Sequence, residues 1–324
     1  MNATTTRRDF LRAISAAAIF SPTLLRGESD PLGKVLPQRV LGTTGEKVTA
    51  FGIGGHHIGK GRDEKRAQAL IERAIERGVR FFDNAVNYQN GVSESYFGRF
   101  LSPKFRDHVF ITTKSSKTTA AEVRQEFEDS LRRLATDRID LWQLHAFQSV
   151  EDVKKRIDNG VVDVFLEMRE QKKARYIGFT GHSCQQAHCH FIDWCVERGI
   201  HMDTCLMPVN LFDPHYDSFL LNVEPKLREH NIALLAMKTM VFGRVFDRAG
   251  EIDDAIITAK NMHEFVYSLP VACMLSGCET VEQIDENTAL LENFRPLDKK
   301  RREELIAAVK PISGPDLEYY KRRT

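Results

Sequence analysis

The feature that most constrains this chain is an alternation in which short apolar runs give way repeatedly to longer amphipathic ones. The apolar runs are Phe51 to Gly54, Arg80 to Phe82, Val109 to Thr113, Ile139 to Leu144, Ala174 to Phe179, Thr204 to Met207, Ile232 to Ala236 and Val271 to Leu275. They have strand length and are bounded by polar or turn-forming residues. Between them lie helical patterns such as Glu64 to Arg77, where Ala67, Leu70, Ile71, Ala74 and Ile75 share a face. Ala120 to Leu134 is a second, with Val123, Phe127, Ser130, Leu131 and Leu134 together. Strands alternating with helices imply βα units and a parallel sheet, and eight such strands predict an α/β fold of the (β/α)8 TIM-barrel type. The 324 residues suit one such barrel, which takes roughly 250 residues plus insertions. Ahead of the first strand, Gln38 to Ala50 reads as a hairpin around Gly42-Thr43-Thr44-Gly45, an N-terminal β-hairpin lid over one end. The least regular connection is the polar stretch Asp247 to Lys260, and from Asp298 the pattern predicts a charged helix and tail. With no linker or charge block dividing it, the chain from residue 36 to 324 reads as one domain.

The first thirty residues are read separately. Thr6-Arg7-Arg8-Asp9-Phe10-Leu11-Arg12, followed by an apolar run from Ala13 to Phe20, looks like a twin-arginine signal peptide over residues 1–30, with export to the periplasm as the expectation. The apolar run is shorter than the roughly 18 to 20 residues that span a bilayer, so no stable membrane insertion is expected. A formal net charge of +1, from 46 basic and 45 acidic residues, provides no field for nucleic acid or a membrane surface. The expected partner is a small molecule. Cys184, Cys189, Cys195, Cys205, Cys273 and Cys278 lie mostly in apolar segments of the second half, which favours free buried thiols over disulfides. Twin-arginine export carries proteins already folded in the cytoplasm, and so agrees with reduced thiols and a preloaded cofactor.

Barrel enzymes keep their reactive groups where the strands end and the βα loops converge. At the predicted strand ends stand Asp83, Lys114, His145, Thr180 to His182, Asn210 and Lys238, with Tyr88 on the loop after Asp83. A phenol with an ordinary pKa of about 10 is a poor proton donor unless a nearby cation stabilises the phenolate. Lys114 is the available cation, and Asp83 would hold it charged. His145 can hydrogen-bond the same substrate oxygen. Such a group supplies a proton to an oxygen that becomes an alkoxide, but it supplies no electrons, so a hydride donor is required.

The stretch Phe81-Phe82-Asp83-Asn84-Ala85-Val86-Asn87-Tyr88, with Ser93-Glu94 and Gly98 beyond it, resembles the most specific signature of the aldo-keto reductases. Thr113-Lys114 and Asp140-Leu141-Trp142-Gln143-Leu144-His145 resemble that family's lysine and histidine signatures. The likeness runs from Arg39-Val40-Leu41-Gly42 to Glu286-Asn287. It implies an oxidoreductase in which Asp83, Tyr88, Lys114 and His145 are catalytic, with Tyr88 the general acid and base, working between NADP (NAD being possible) and a carbonyl or hydroxy substrate.

The cofactor-binding residues implied by the resemblance are Gly54, Thr180, Gly181, Asn210, Lys238, Gly243, Gly277, Gln283 and Asn287. Lys238 and Gly243 lie where the family cradles the pyrophosphate, and Ser276 to Asn287 resembles its adenosine-binding loop and helix. The chain also departs from the family. Gln283 stands where an arginine often holds the 2′-phosphate, Thr180-Gly181 replaces a Ser-Asn pair, and Val209 replaces the tyrosine that stacks on the nicotinamide. Family branches that share these changes carry a ferredoxin-like extension with iron–sulfur cysteine spacings, and no such run occurs here.

Two alternatives compete with this reading. One is a nicotinamide-binding barrel with regulatory or vestigial activity, against which the retained tetrad argues. The other is a metal-dependent barrel hydrolase, suggested by His56-His57 and by the cluster His182, Cys184, His188, Cys189 and His190. Strand one lacks alternating histidines and strand eight lacks an acid, so no metal site is expected; the cluster's cysteines are placed on the apolar side of a barrel helix and its histidines on the solvated side. Export raises the need to recycle a nicotinamide outside the cytoplasm, met by a tightly held cofactor or by a redox partner protein.

Overall fold

The computed structural model describes residues 23–248 and 250–322. Eight parallel strands close into a barrel: β1 (Phe51–Gly54), β2 (Phe81–Asp83), β3 (Phe110–Ser115), β4 (Ile139–Leu144), β5 (Ala174–Thr180), β6 (Thr204–Pro208), β7 (Ala233–Met237) and β8 (Val271–Ser276). Each pairs with its sequence neighbours, and β8 closes the ring on β1 with Met274 opposite Phe51. All eight strands expected from the sequence are present. Their ends differ by a residue or two, and the difference matters: Asp83 and Lys114 lie on β2 and β3 rather than after them. Apolar character stops before the pleat does, because these inward positions are polar by function.

The helices form the outer ring. Among them α1 (Glu64–Glu76) is capped by Asp63, whose carboxylate accepts from Arg66 N at 3.0 Å, and it buries Ala67, Leu70, Ile71, Ala74 and Ile75 as the periodicity predicts. Helix α2 (Ala120–Leu134) buries Val123, Phe127, Ser130 and Leu134 and ends on Ala135 in the left-handed region. After them come α3 (Val150–Asp158), α4 (Val161–Glu170), α5 (Gln185–Glu197), α6 (Glu224–Glu229), α7 (Ala259–Tyr267), α8 (Val281–Glu292) and α9 (Lys299–Ala308). Among the described residues no helix is long and apolar enough to cross a membrane.

Inside the barrel the two-residue period of each strand sorts chemistry by height. Phe81 precedes Asp83 on β2, Phe110 precedes Thr112 and Lys114 on β3, and Leu141 precedes Gln143 on β4. The lower positions form an apolar plug in which Phe81 stacks on Phe110 at 5.0 Å, packed with Leu141, Leu206, Leu235 and Leu275. The hairpin Gln38–Val40 with Lys47–Thr49 closes this end with Leu41 and Val48, so the lid covers the N-terminal mouth of the barrel. Arg39, buried, anchors it by donating to the carbonyls of Tyr267 at 2.5 Å and Val271 at 2.5 Å. The upper positions are left for polar groups.

Two terminal segments depart from expectation. The twin-arginine motif lies outside the described residues, and residues 23–35, of which 23–30 fall within the expected signal peptide, pack on the barrel. Leu25 bridges to Gln38, and the Asp30 carboxylate takes two bonds from Arg80, at 2.7 and 3.0 Å. At the other end the tail after α9 is not solvated: Glu318, Tyr320 and Lys321 are buried. All six cysteines are unpaired thiols, and only Cys189 is partly exposed.

The Arg80 guanidinium holds the Asp30 carboxyl below its ordinary pKa. A depressed folded pKa stabilises above the unfolded value and loses that contribution as pH falls through the folded one. Asp30→Asn should therefore lower stability by about 1 to 2 kcal/mol at neutral pH. In urea titrations the deficit should close below about pH 4.

Candidate active site

The upper end of the barrel interior is built around a buried ammonium. Lys114, the inward residue near the end of β3, is 1% exposed, and a lone charge there would carry a large desolvation penalty. It is compensated by Asp83 on the neighbouring strand: Lys114 Nζ lies 2.7 Å from Asp83 Oδ2 and 2.6 Å from the Asn84 carbonyl. Thr112 Oγ1 donates to the other Asp83 oxygen at 2.6 Å, so both carboxylate oxygens are held. Burial works to lower the Lys114 pKa, but the charges of Asp83 and then Tyr88 outweigh it and carry the ammonium above the ordinary lysine value. It stays charged.

Tyr88 reaches this pair from the β2 loop. After it Gln89 (φ 50), Asn90 (φ 58) and Gly91 (φ 83) form a left-handed turn that reverses the chain and keeps the phenol over the barrel mouth. Its hydroxyl lies 3.4 Å from Lys114 Nζ, which is 5.1 Å from the ring centre. Burial raises the phenol pKa and the Lys114 charge opposes the rise. His145, directly after β4, stands edge-on to Tyr88 with ring centres 6.2 Å apart, and His56 does so from the β1 side at 5.3 Å. Burial, then the charges of Lys114 and His182, hold His145 well below the ordinary imidazole value, so it is neutral at pH 7. The four residues expected from the sequence are thus brought together.

The rest of the signature is scaffold. Glu94 is fully buried and accepts from Thr113 Oγ1 at 2.5 Å and Arg133 Nε at 2.6 Å, while Ser93 Oγ donates to the Gly55 carbonyl at 2.6 Å. Gly98 passes α2 so closely that a Cβ would sit 2.0 Å from the Arg133 carbonyl. These contacts fix the loop that carries Tyr88.

The residues assigned to the cofactor have mixed fates. Gly54 and Gly277 meet where β1 and β8 pair, and the His57 ring covers Gly277 so tightly that a Cβ there would fall 1.8 Å from Nδ1. Gly243 has φ 81 and open space around it, and Thr239 Oγ1 on the same loop is buried without a hydrogen-bond partner. Gln283 accepts from Glu279 N at 2.7 Å and so shapes its own loop, and Asn287 is buried with its amide 3.4 Å from Cys278 Sγ. Thr180 closes β5, and a Cβ on Gly181 would meet His188 and the Phe147 backbone. Asn210 is fully buried and engaged. Its oxygen accepts from Phe212 N and Asp213 N, and its amide donates to Tyr320 Oη at 3.0 Å, Glu318 Oε1 at 3.3 Å and the Lys238 carbonyl at 3.3 Å. It fastens the tail to the barrel. Lys238 turns its Nζ over the Phe242 ring, 3.7 Å from the centre.

The tail was missed by pattern reading. Lys321 Nζ lies 2.7 Å from Asp213 and 2.9 Å from Glu318, and His182 Nδ1 donates to the Tyr320 carbonyl at 3.1 Å. Leu317 and Tyr320, both buried, are apolar residues among the charges.

The histidine–cysteine cluster is placed differently from expectation. His188 is on the core side of α5, boxed by Phe147, Phe179 and Phe219 with Nδ1 3.0 Å from the Cys184 carbonyl, because neutral imidazole packs well among aromatic edges. Cys189, expected on the apolar side, is the partly exposed thiol. Among the described residues no three His, Cys, Asp or Glu side chains converge as a metal would require.

Residues 50–284 match the profile of the aldo/keto reductase family. The chain belongs to that family. It is accordingly an NAD(P)-dependent oxidoreductase. L-galactose dehydrogenase of Arabidopsis thaliana is 23% identical over 85% of this chain and 95% of its own length. The uncharacterised oxidoreductase YqkF of Bacillus subtilis is 24% identical over 77% of this chain and 89% of its own. Among solved structures, the aldo-keto reductase AKR11C1 of Bacillus halodurans in its holo form superimposes with a TM-score of 0.72 at 21% identity, over 89% of this chain and all of its own. An aldo/keto reductase of Klebsiella pneumoniae in complex with NADP and acetate gives 0.70 at 20% identity, over 84% of this chain and 95% of its own.

Removing one member of the buried pair leaves the other uncompensated. Lys114→Met should destabilise this reductase by about 3 to 5 kcal/mol. The double variant Lys114→Met/Asp83→Asn should recover part of that loss in the same denaturation experiment.

Proposed function

We propose that this reductase transfers hydride between NADP(H), with NAD(H) also accommodated, and a carbonyl or alcohol, with Tyr88 as general acid and base. One observation carries the reading: a tyrosine hydroxyl 3.4 Å from a buried lysine that is itself locked to a carboxylate. In the reducing direction Tyr88 donates its proton to the carbonyl oxygen and Lys114 stabilises the phenolate left behind. Asp83 keeps Lys114 charged and aimed, and the neutral His145 hydrogen-bonds the same oxygen and orients the carbonyl. The nicotinamide supplies the hydride when bound.

The residues present fit such a cofactor. The open left-handed turn at Gly243 and the Thr239 hydroxyl, unpartnered among the described residues, suit phosphate oxygens. By resemblance to the family, Thr180 and Gly181 are assigned to the nicotinamide and Gln283 and Asn287 to the adenosine, with Gly54 packed against Gly277. Gln283 brings no charge for a 2′-phosphate, which is the basis for admitting NAD.

Export forms part of the proposal. The Thr6 to Arg12 motif directs the folded protein through the twin-arginine route to the periplasm, and cleavage falls upstream of Leu24, because the chain beyond is tied to the barrel. The cofactor is then either retained or recycled by a redox partner. Native mass spectrometry of periplasmic protein should show bound NADP or NAD; empty protein with no affinity for either would sink the cofactor reading.

Tyr88→Phe should lower kcat for reduction of a neutral aldehyde by about 100-fold or more, with nicotinamide Kd little changed. An unchanged rate would overturn the role of Tyr88. Because burial raises the phenol pKa, the proton donor stays intact through neutral pH, and reduction of a neutral carbonyl should fall only on the alkaline side.

A further inference from the structure

At the end of the barrel away from Tyr88, a cavity of about 350 Å³ opens between the hairpin, α6 and the starts of β7 and β8. Its walls are mainly apolar, with Val40 from the hairpin, Leu227 from α6, Ile232 and Leu234 at β7 and Pro270 before β8. The hairpin turn shapes one side. Gly42, at φ 55, passes so close to the connection between α6 and β7 that a Cβ would fall 3.3 Å from the Asn231 carbonyl. An apolar space of this size with a few placed polar groups has the character of a small-molecule pocket. Among the residues that line it only two are charged, and they are of opposite sign. Glu224, the first residue of α6, is 7% exposed, and its Oε1 accepts no hydrogen bond among the described residues. Arg228, one turn further on, approaches it only through Nε at 3.7 Å, beyond hydrogen-bond reach. Lys226 on the same helix, by contrast, closes on Asp193 at 2.5 Å. Burial raises the Glu224 pKa, and the Arg228 charge opposes the rise. A carboxylate buried this far lacks a donor, and the guanidinium beside it has its fork unused among the described residues.

We infer that this cavity binds an α-amino acid with an apolar side chain. Such a molecule carries its ammonium and carboxylate on one carbon, so it presents the two charges side by side, as Glu224 and Arg228 do. The ammonium donates to the Glu224 carboxylate, and the carboxylate accepts from the Arg228 fork. The side chain leaves water for the space among Leu227, Ile232 and Pro270. A simple amine would leave the guanidinium without an acceptor, and a simple carboxylic acid would set a second carboxylate beside Glu224. A zwitterion satisfies both groups. The Phe81 and Phe110 plug separates this end of the barrel from the layer of Asp83 and Lys114, so the inference is independent of the hydride-transfer reading.

The test is calorimetric titration of the full chain at pH 7 with L-leucine, L-methionine and L-phenylalanine, and with the amine and the acid that each carry half of the head group. For leucine these are 3-methylbutylamine and 4-methylpentanoate. At least one amino acid should bind about tenfold tighter than either of its halves. Glu224→Gln and Arg228→Gln should each weaken that amino acid about tenfold, with circular dichroism unchanged. Arg228→Gln should not weaken the amine, nor Glu224→Gln the acid, a pattern that general loosening of the cavity would not produce. Tyr88→Phe should leave the affinity as in the wild type. Absence of binding by all three amino acids would overturn the inference, as would halves that bind as tightly as the whole. So would an amino acid that binds both charge variants as well as the wild type, since it would then be seated elsewhere.

Discussion

An ammonium inside a barrel is the constraint on which the rest of this site depends. Lys114 could not remain charged at that depth without a carboxylate, and the carboxylate could not remain ionised without further donors. Asp83, Thr112 and the Asn84 carbonyl meet these requirements because β2 and β3 are adjacent and in register, with Asp83 opposite Thr112. Tyr88 then lies over a fixed positive charge, which is the condition for a phenol to act as a reversible proton donor near neutrality.

The barrel separates this demanding polar layer from the groups that stabilise the fold. Below it are the Phe81 and Phe110 rings and the leucines of the plug, sealed by the hairpin that Arg39 anchors. Above it, loops and tail are fixed by hydrogen bonds as well as by apolar contacts, most clearly at Asn210, whose amide and carbonyl join the β6 loop, Lys238 and the tail. The reactive end can therefore carry polar groups because the opposite end and the outer ring of helices bury the apolar surface.

Charge pairing is the rule among the buried cations of the upper face. Lys114, Lys60, Arg156 and Lys321 are all matched, the last by two acids, whereas Lys238 stands over the Phe242 ring. Desolvation lowers the basicity of His56, His182 and Lys238.

Alternation of apolar and amphipathic runs, read along the chain, determined the eight strands and the helical faces, since burial on both sides of a strand and on one side of a helix leaves a local periodic record. The types and order of Asp83, Tyr88, Lys114 and His145 were legible for a related reason: proton transfer to a carbonyl needs those groups, and strand ends are where a barrel presents them. Only the tertiary structure decided that Asn210 and the Glu318–Lys321 tail are fastened together, that His188 is a core residue, that residues 23–35 belong to the folded unit, and that Lys238 rests over Phe242. Most of those outcomes depend on contacts between residues far apart in sequence. A charged tail and a solvated one have the same composition, and pairing alone distinguishes them.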